Sequence, residues 1–548
     1  MSTGVEALVL DEESQAGRDS LAARARESIG RNVGFEIAAK VGYFISRVFI
    51  PPFVLSRIGL SAYSLWSAVF LLITYIGMTT CGFWLVSVKY VAEYVVHDET
   101  RKANEILSTG LLTIAPMCAV LFGLIFLAMP RVILWLQVPT ALQHDARQLI
   151  LIVTGVFLCD LSLSVFSQAL SGVQRIAEVQ VIWLISCLAE VGMIFLLVGT
   201  GHGVMGLAEA YAIRTAVSIV LAAILAYRLI PWLRLSVRSF SRQAFRSVVH
   251  FGGVVQLNMM LGVGLNTIER IIAAPLIGLN AIGLFDISDK LPGIAGAISE
   301  SFAASFMPAA SGLHSELAGS PHQAEMIGKL YLKGSRYMNL VAATLAGLFA
   351  TASGPLLYVW IGRVYPGTAF LMAIFAVQQN VHLLTGPGTS ILRGIGRPQE
   401  EFFYSIPNLL TVLAAVPLSR LVLGNWSIIG IGSAVVVATI ISAGGFLVRA
   451  NRTLHISWRD YWSWVLAPGL VPYVIGILFA VPAWKYVEQT TRWHGAMIML
   501  VIAALYSLTV LLVTDRFVLD GDERSFFRDV VRREWSRLGR FGTRAEVL

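Results

Sequence analysis

The side chains able to do chemistry in this sequence are charges placed in apolar surroundings. Lys40, Arg47, Arg214, Arg270 and Lys290, with Asp160, Glu190 and Asp286, all stand in stretches apolar enough to lie in lipid. A charge there is costly unless it faces a bundle interior or a water-filled path, so these residues mark where function should be sought. Five cations gathered at one site suit an anionic head group, because a guanidinium pairs in a fork with two phosphate oxygens. Some charges have a local alternative: Glu36 with Lys40, and Asp286 with Lys290, are spaced i,i+4 and could neutralise one another. Glu209 and Glu269 are expected near the outer interface, where a carboxylate costs little. Arg47 and Arg270 have no opposite charge at i±3 or i±4, and both are expected to face a shared cavity.

Positioning such groups takes membrane-spanning helices. The chain has 548 residues, 56% of them hydrophobic and 14% charged, and a mean hydropathy of +0.72, the composition of a polytopic membrane protein. Runs of roughly 20 apolar residues, enough to cross a ~30 Å hydrocarbon core, recur at 33–56, 62–86, 106–130, 148–170, 178–199, 204–229, 247–273, 279–306, 337–359, 367–390, 402–422, 427–449, 465–485 and 494–514. The expected fold is therefore all-α, with about fourteen transmembrane helices. With the N-terminus inside, the inner segments hold 29 of the 41 Lys and Arg and the outer ones 7, and the other five are the intramembrane cations named above. This bias places both termini in the cytoplasm. The net charge of +8 then reports topology rather than nucleic-acid binding. Cys81, Cys118, Cys159 and Cys187 all fall within apolar runs, with neither a disulfide framework nor metal-ligand spacing. No cleavable signal is expected before the first run, which acts as its own insertion signal.

The chain also echoes itself. RVFIPPFVLSRIGLSAYSLW at 47–66 has a degenerate copy, RIIAAPLIGLNAIGLF, at 270–285, in which Arg47 matches Arg270 and Gly59 to Trp66 lie over Gly278 to Phe285. LSGVQR at 170–175 matches LRGIGR at 392–397, and Trp135-Leu136 with Pro139 matches Trp360-Ile361 with Pro366. Three echoes in one order, each about 220 residues apart, indicate a duplicated module. Six spans fit one copy. Helices 1–6 (33–229) and 7–12 (247–449) would then share one orientation and be joined by a basic linker at 230–246, with helices 13 and 14 (465–514) appended. Cytoplasmic tails occupy 1–32 and, with basic residues, 515–548. Parallel repeats about an axis along the membrane normal are a transporter plan, with the site expected between the halves near the midplane.

Several motifs carry a family resemblance. LSRIGLSAYSLW at 55–66, Val91-Ala92-Glu93-Tyr94, LSGVQR at 170–175, RSFSRQAFRSVVHFGG at 238–253 and LRGIGRPQEE at 392–401 resemble the Wzx-type polysaccharide and O-antigen flippases. These belong to the multidrug/oligosaccharidyl-lipid/polysaccharide exporter superfamily. The resemblance implies two six-helix lobes and passage of an undecaprenyl-pyrophosphate-linked oligosaccharide across the bacterial inner membrane, for surface or exopolysaccharide synthesis. It implies a proton or sodium gradient as the drive and no cofactor. The bilayer, the undecaprenyl-linked saccharide and polysaccharide polymerase or assembly proteins are the implied partners, and no nucleic acid is expected. Lys40, Arg47, Arg214, Arg270 and Lys290 would hold the pyrophosphate, and Asp160, Glu190 or Asp286 would couple the ion. The two extra helices resemble the fourteen-helix members, which include lipid II flippases. A drug or cation antiporter of the same superfamily would be marked by an acidic cavity instead. A membrane enzyme of polysaccharide assembly is disfavoured by short outer loops and the lack of HExxH and GxSxG, so no enzyme is expected.

Overall fold

The computed structural model describes residue 42 and residues 45–78, 83–303, 305–317, 320–487, 489–525 and 528, with 83–86, 247–263, 266, 298 and 300–302 described through their backbone only. Lys40 and Glu36, the 1–32 tail and most of the basic tail lie outside the described residues.

Every regular element among the described residues is helical. In chain order these are α1 Ile45–Gly77, α2 Phe83–Val96, α3 Thr100–Trp135, α4 Thr140–Gly172, α5 Ile176–Gly199, α6 Met205–Leu229, α7 Arg242–Ile277 and α8 Leu279–Ala303. They continue as α9 Phe306–Glu316, α10 Gln323–Thr351, α11 Ser353–Ile361, α12 Thr368–Gly394, α13 Pro398–Leu423, α14 Ile428–Thr453, α15 Trp458–Tyr486 and α16 Arg492–Val518. Ten of them are long and apolar enough to cross a membrane, or eleven if α10 and α11, bent by 79° at Ala352, form one broken span. Fourteen spans were expected, and the described helices take up the expected runs as follows. Residues 45–56 and 62–77 of the first two runs both lie in α1, in which Gly59 is left-handed at φ +79°. The expected run 337–359 is the bent pair. The runs at 247–273 and 279–306 correspond to α7 and α8, and α8 carries Asp286, Asp289 and Lys290 within one turn and a half of helix.

Side chains with nothing polar to meet point outward. Leu127 is 76% exposed, Leu421 80% and Trp493 83%. Large apolar groups displayed on this scale are costly in water and unremarkable in lipid, so the chain is a multi-pass membrane protein. Where helices meet, small residues let backbones approach: Ala208, Ala210, Ala222 and Ala226 of α6 are all buried.

The helices form two compact units that meet in sequence inside α8, at Asp286 and Ile287. In the first unit, Leu107, Ile114, Val165, Leu170 and Ala226 build one core cluster. In the second, Tyr331, Ile391, Phe446, Tyr461 and Val465 build another.

Each echo holds a left-handed residue, at a helix end in every copy except Gly59, which lies inside α1. Gly59 and Gly278, matched by the repeat, both take positive φ, +79° and +118°. At 170–175 the Arg175 N–H donates to Leu170 O and the Gln174 N–H to Ser171 O, with Gln174 at φ +63°. At 392–397 the Arg397 N–H donates to Leu392 O and the Gly396 N–H to Arg393 O, with Gly396 at φ +82°. This paired closure satisfies the last carbonyls of a helix and stops it. In the third echo Gln137, at φ +49°, shows the same paired closure, while Gly362, at φ +88°, closes its helix by one bond from its N–H to Tyr358 O. The repeat is legible because stop signals depend on a few residue types in fixed order.

The glycines just before two of these stops serve close packing. A Cβ on Gly172 would stand 2.5 Å from Val91 Cγ1, and one on Gly394 would stand 2.6 Å from the Met307 carbonyl oxygen. Val91 Cβ is itself 2.7 Å away, beyond relief by side-chain rotation, and the Met307 carbonyl belongs to the backbone. Gly172→Ala and Gly394→Ala are therefore each expected to destabilise by about 1–3 kcal/mol. Thermal unfolding of the purified variants checks this, and a wild-type midpoint in either would contradict the packing argument there.

Candidate functional site

Within the first unit, α1, α7 and α8 converge on one carboxylate. Asp286 is 6% exposed. Its Oδ1 accepts from Arg270 Nη1 at 3.1 Å, and its Oδ2 accepts from the Tyr63 hydroxyl at 2.5 Å and from Ser67 Oγ at 3.3 Å. Glu269, 5% exposed, places Oε1 3.5 Å from Arg270 Nε, near enough for charge attraction. The Tyr75 hydroxyl and Thr267 Oγ1 lie 2.6 Å apart. A buried ion pair survives when the remaining lone pairs also find donors, and Tyr63 and Ser67 supply them.

The approach of α1 to α8 comes from the repeat motif itself. A Cβ on Gly283 would stand 2.1 Å from Ser64 Oγ and 3.2 Å from Ser64 Cα, so only glycine fits. Ser64 and Gly283 occupy matched positions in the echo. Ser67 and Asp286, three residues further on in each copy, match as well.

A second charged group lies in the same unit. Arg214 Nε of α6 is 3.6 Å from Glu190 Oε2 of α5, and its guanidinium carbon lies 5.9 Å from the centre of the Tyr211 ring. Asp160 of α4 is within electrostatic reach of Arg214 and Tyr211. Arg47 is within electrostatic reach of Tyr63 and of Cys187.

The residues expected from sequence are thus distributed as follows. Arg47, Arg214, Arg270, Asp160, Glu190 and Asp286 all lie in the first unit, where Arg270 meets Asp286 and Arg214 meets Glu190. Lys290 lies in the second unit, half-buried, beside Asp289, whose Oδ1 accepts from Gln379 Nε2 at 3.4 Å. The cations and carboxylates expected as separate sets form pairs: Arg270 with Asp286, and Arg214 with Glu190. Arg47 stands twelve residues before its left-handed glycine and Arg270 eight before its own, so the two differ by about one helical turn. Glu269, expected near an interface, is buried beside Arg270, while Glu209 is exposed and lies 3.0 Å from His202 Nδ1. Tyr63 and Ser67, which donate to Asp286, were not among the residues expected there. The available signal was their place in and beside the repeated motif.

The chain is thus an all-helical, multi-pass membrane protein that holds arginines and carboxylates among its apolar helices. The chain belongs to the polysaccharide biosynthesis protein family, whose pattern matches residues 29–314. No curated protein matches it. Among solved structures it is similar to the lipid II flippase MurJ in an inward-closed conformation, with 12% identity, TM-score 0.64, and coverage of 90% of this chain and 100% of that one. It is also similar to an inward-facing multidrug resistance MATE family transporter of the MOP superfamily, with 13% identity, TM-score 0.63, and coverage of 76% and 94%. A third is a MOP superfamily transporter from Pyrococcus furiosus Vc1 for which a binding pocket of reverse polarity is described, with 12% identity, TM-score 0.52, and coverage of 76% and 95%. At these identities the likeness concerns the fold.

Proposed function

We propose that this protein carries an undecaprenyl-pyrophosphate-linked oligosaccharide across the bacterial inner membrane by alternating access, for surface or exopolysaccharide synthesis. The observation that carries the reading is that Arg270 and Arg214, among apolar helices of the first unit that also holds Arg47, each meet a carboxylate on a neighbouring helix. An arginine stored on a carboxylate can exchange onto a pyrophosphate, which offers the same forked geometry and more charge. Protonation of Asp286 or Glu190 favours that exchange, so a proton gradient drives a cycle of capture and release without a cofactor. The protein performs no bond chemistry in this scheme.

A second reading has one specific observation in its favour. Asp160, Glu190, Glu269 and Asp286 outnumber Arg47, Arg214 and Arg270, and an acidic excess suits an ion-coupled antiporter of organic cations. A deletion strain separates the two. Accumulation of undecaprenyl-linked saccharide with loss of surface glycan, reversed by the wild-type gene but not by Arg47→Gln at equal membrane level, supports the flippase. Normal glycan with altered sensitivity to toxic cations supports the antiporter. Full export by Arg47→Gln refutes the arginine-based site.

A further inference from the structure

A basic cavity lies away from the buried clusters, between the start of α3 and the segment that follows α6. Its volume is about 450 Å³, and its lining includes Arg101, Asn104, Glu105, Trp232, Arg234 and Arg238. Three guanidinium groups meet one carboxylate there, and Glu105 is already engaged by Arg101 Nε at 3.1 Å. Among the described residues, the Arg234 and Arg238 side chains form no ion pair. Thr100 also lines the cavity, and α3 begins at that residue with no side-chain cap on its first turn. The positive end of a long helix dipole adds to the same field.

The cavity is built rather than incidental. Asn104 Nδ2 donates to Trp232 O at 2.8 Å, and its Oδ1 accepts from the Arg234 N–H at 2.8 Å. Further along, the Ser236 N–H donates to Ser108 Oγ at 3.2 Å and the Ser241 N–H to Thr109 Oγ1 at 2.9 Å. Four hydrogen bonds lay the 232–241 segment along α3, so Arg234 and Arg238 are presented by a fixed backbone, which lowers the ordering cost of binding.

We propose that this cavity binds a phosphate group, gripped between Arg234 and Arg238 beside the start of α3. The phosphate belongs either to an anionic lipid head group or to a free phosphate compound. Both present the same oxygens to a guanidinium fork. The inference stands apart from the identity of any transported cargo.

The test uses the full-length purified protein and the variant Arg234→Gln/Arg238→Gln. Both side chains are exposed, so the fold should survive, and an unchanged thermal midpoint verifies this. Inorganic pyrophosphate is titrated calorimetrically in detergent. Retention of phosphatidylglycerol against phosphatidylcholine is read by native mass spectrometry. The variant should lose about tenfold or more in affinity for at least one ligand, and Arg234→Lys/Arg238→Lys should recover part of it. A difference for pyrophosphate identifies free phosphate as a sufficient source, and a difference confined to phosphatidylglycerol identifies the lipid. Equal binding of both ligands by wild type and the glutamine variant, or binding of neither by wild type, overturns the proposal.

Discussion

Asp286→Ala is expected to lower the unfolding free energy by about 3–5 kcal/mol, because it leaves Arg270 in a buried setting without its main counter-charge. Three donors lose their acceptor at once: Arg270 Nη1 at 3.1 Å, the Tyr63 hydroxyl at 2.5 Å and Ser67 Oγ at 3.3 Å. Glu269, 3.5 Å from Arg270 Nε, softens the loss without reaching the same nitrogen. Asp286→Asn retains an acceptor for Tyr63 and removes only the charge, so its midpoint should fall between those of wild type and Asp286→Ala. A wild-type midpoint in Asp286→Ala would show that the network contributes nothing to stability. The same asparagine tests the exchange proposed for transport. If proton binding at Asp286 releases Arg270, Asp286→Asn should lose the response of export to collapse of the proton gradient, whereas Ser67→Ala should keep it.

Glu523→Ala is expected to cost nearly as much, in the second unit. Glu523 is 6% exposed and Arg336 of α10 is 4% exposed. Glu523 Oε2 lies 3.5 Å from Arg336 Nη2, Oε1 accepts from the Tyr337 hydroxyl at 2.7 Å, and Oε2 also accepts from the Asp520 N–H at 3.0 Å. Arg336 in addition donates to the Val518 carbonyl, and its guanidinium carbon lies 4.7 Å from the centre of the Trp464 ring. One carboxylate therefore ties the segment after α16 to α10. Removing it leaves Asp520 Oδ2 at 3.9 Å as the remaining acid, on a side chain 60% exposed. The expected loss is about 3 kcal/mol, the lower end for breaking a buried pair, because Val518 and Trp464 still hold the guanidinium. Detachment of the segment should appear as new trypsin cleavage at Arg516 or Arg524. An unaltered digestion pattern together with an unaltered midpoint would contradict the anchoring role.

Much of the architecture is legible in the chain. Runs such as 178–199 and 427–449 predict α5 and α14 to within a few residues, because about 20 apolar residues in lipid have no other way to satisfy their backbone. The three echoes are legible for a related reason: a helix stop needs a left-handed residue and a closing pair of hydrogen bonds, and both are set by neighbours within six positions. The choice of intramembrane charges was also local, since a charge in an apolar run stands out by itself. Less legible was where the apolar runs break. Gly59 is left-handed inside α1, and the bend at Ala352 divides a run that reads as continuous.

The sequence by itself determined the helical class, the helix stops that mark the duplication, and which charges lie among apolar residues. Only the tertiary structure decided which of those charges meet. Asp286 takes its partners from Arg270, sixteen residues away, and from Tyr63, 223 residues away, and no spacing along the chain encodes such a meeting. It follows from the crossing of α1 and α8, which is possible because Gly283 has no side chain to hold Ser64 off. A cationic set and an acidic set, separate in the sequence, thereby become paired groups in the fold.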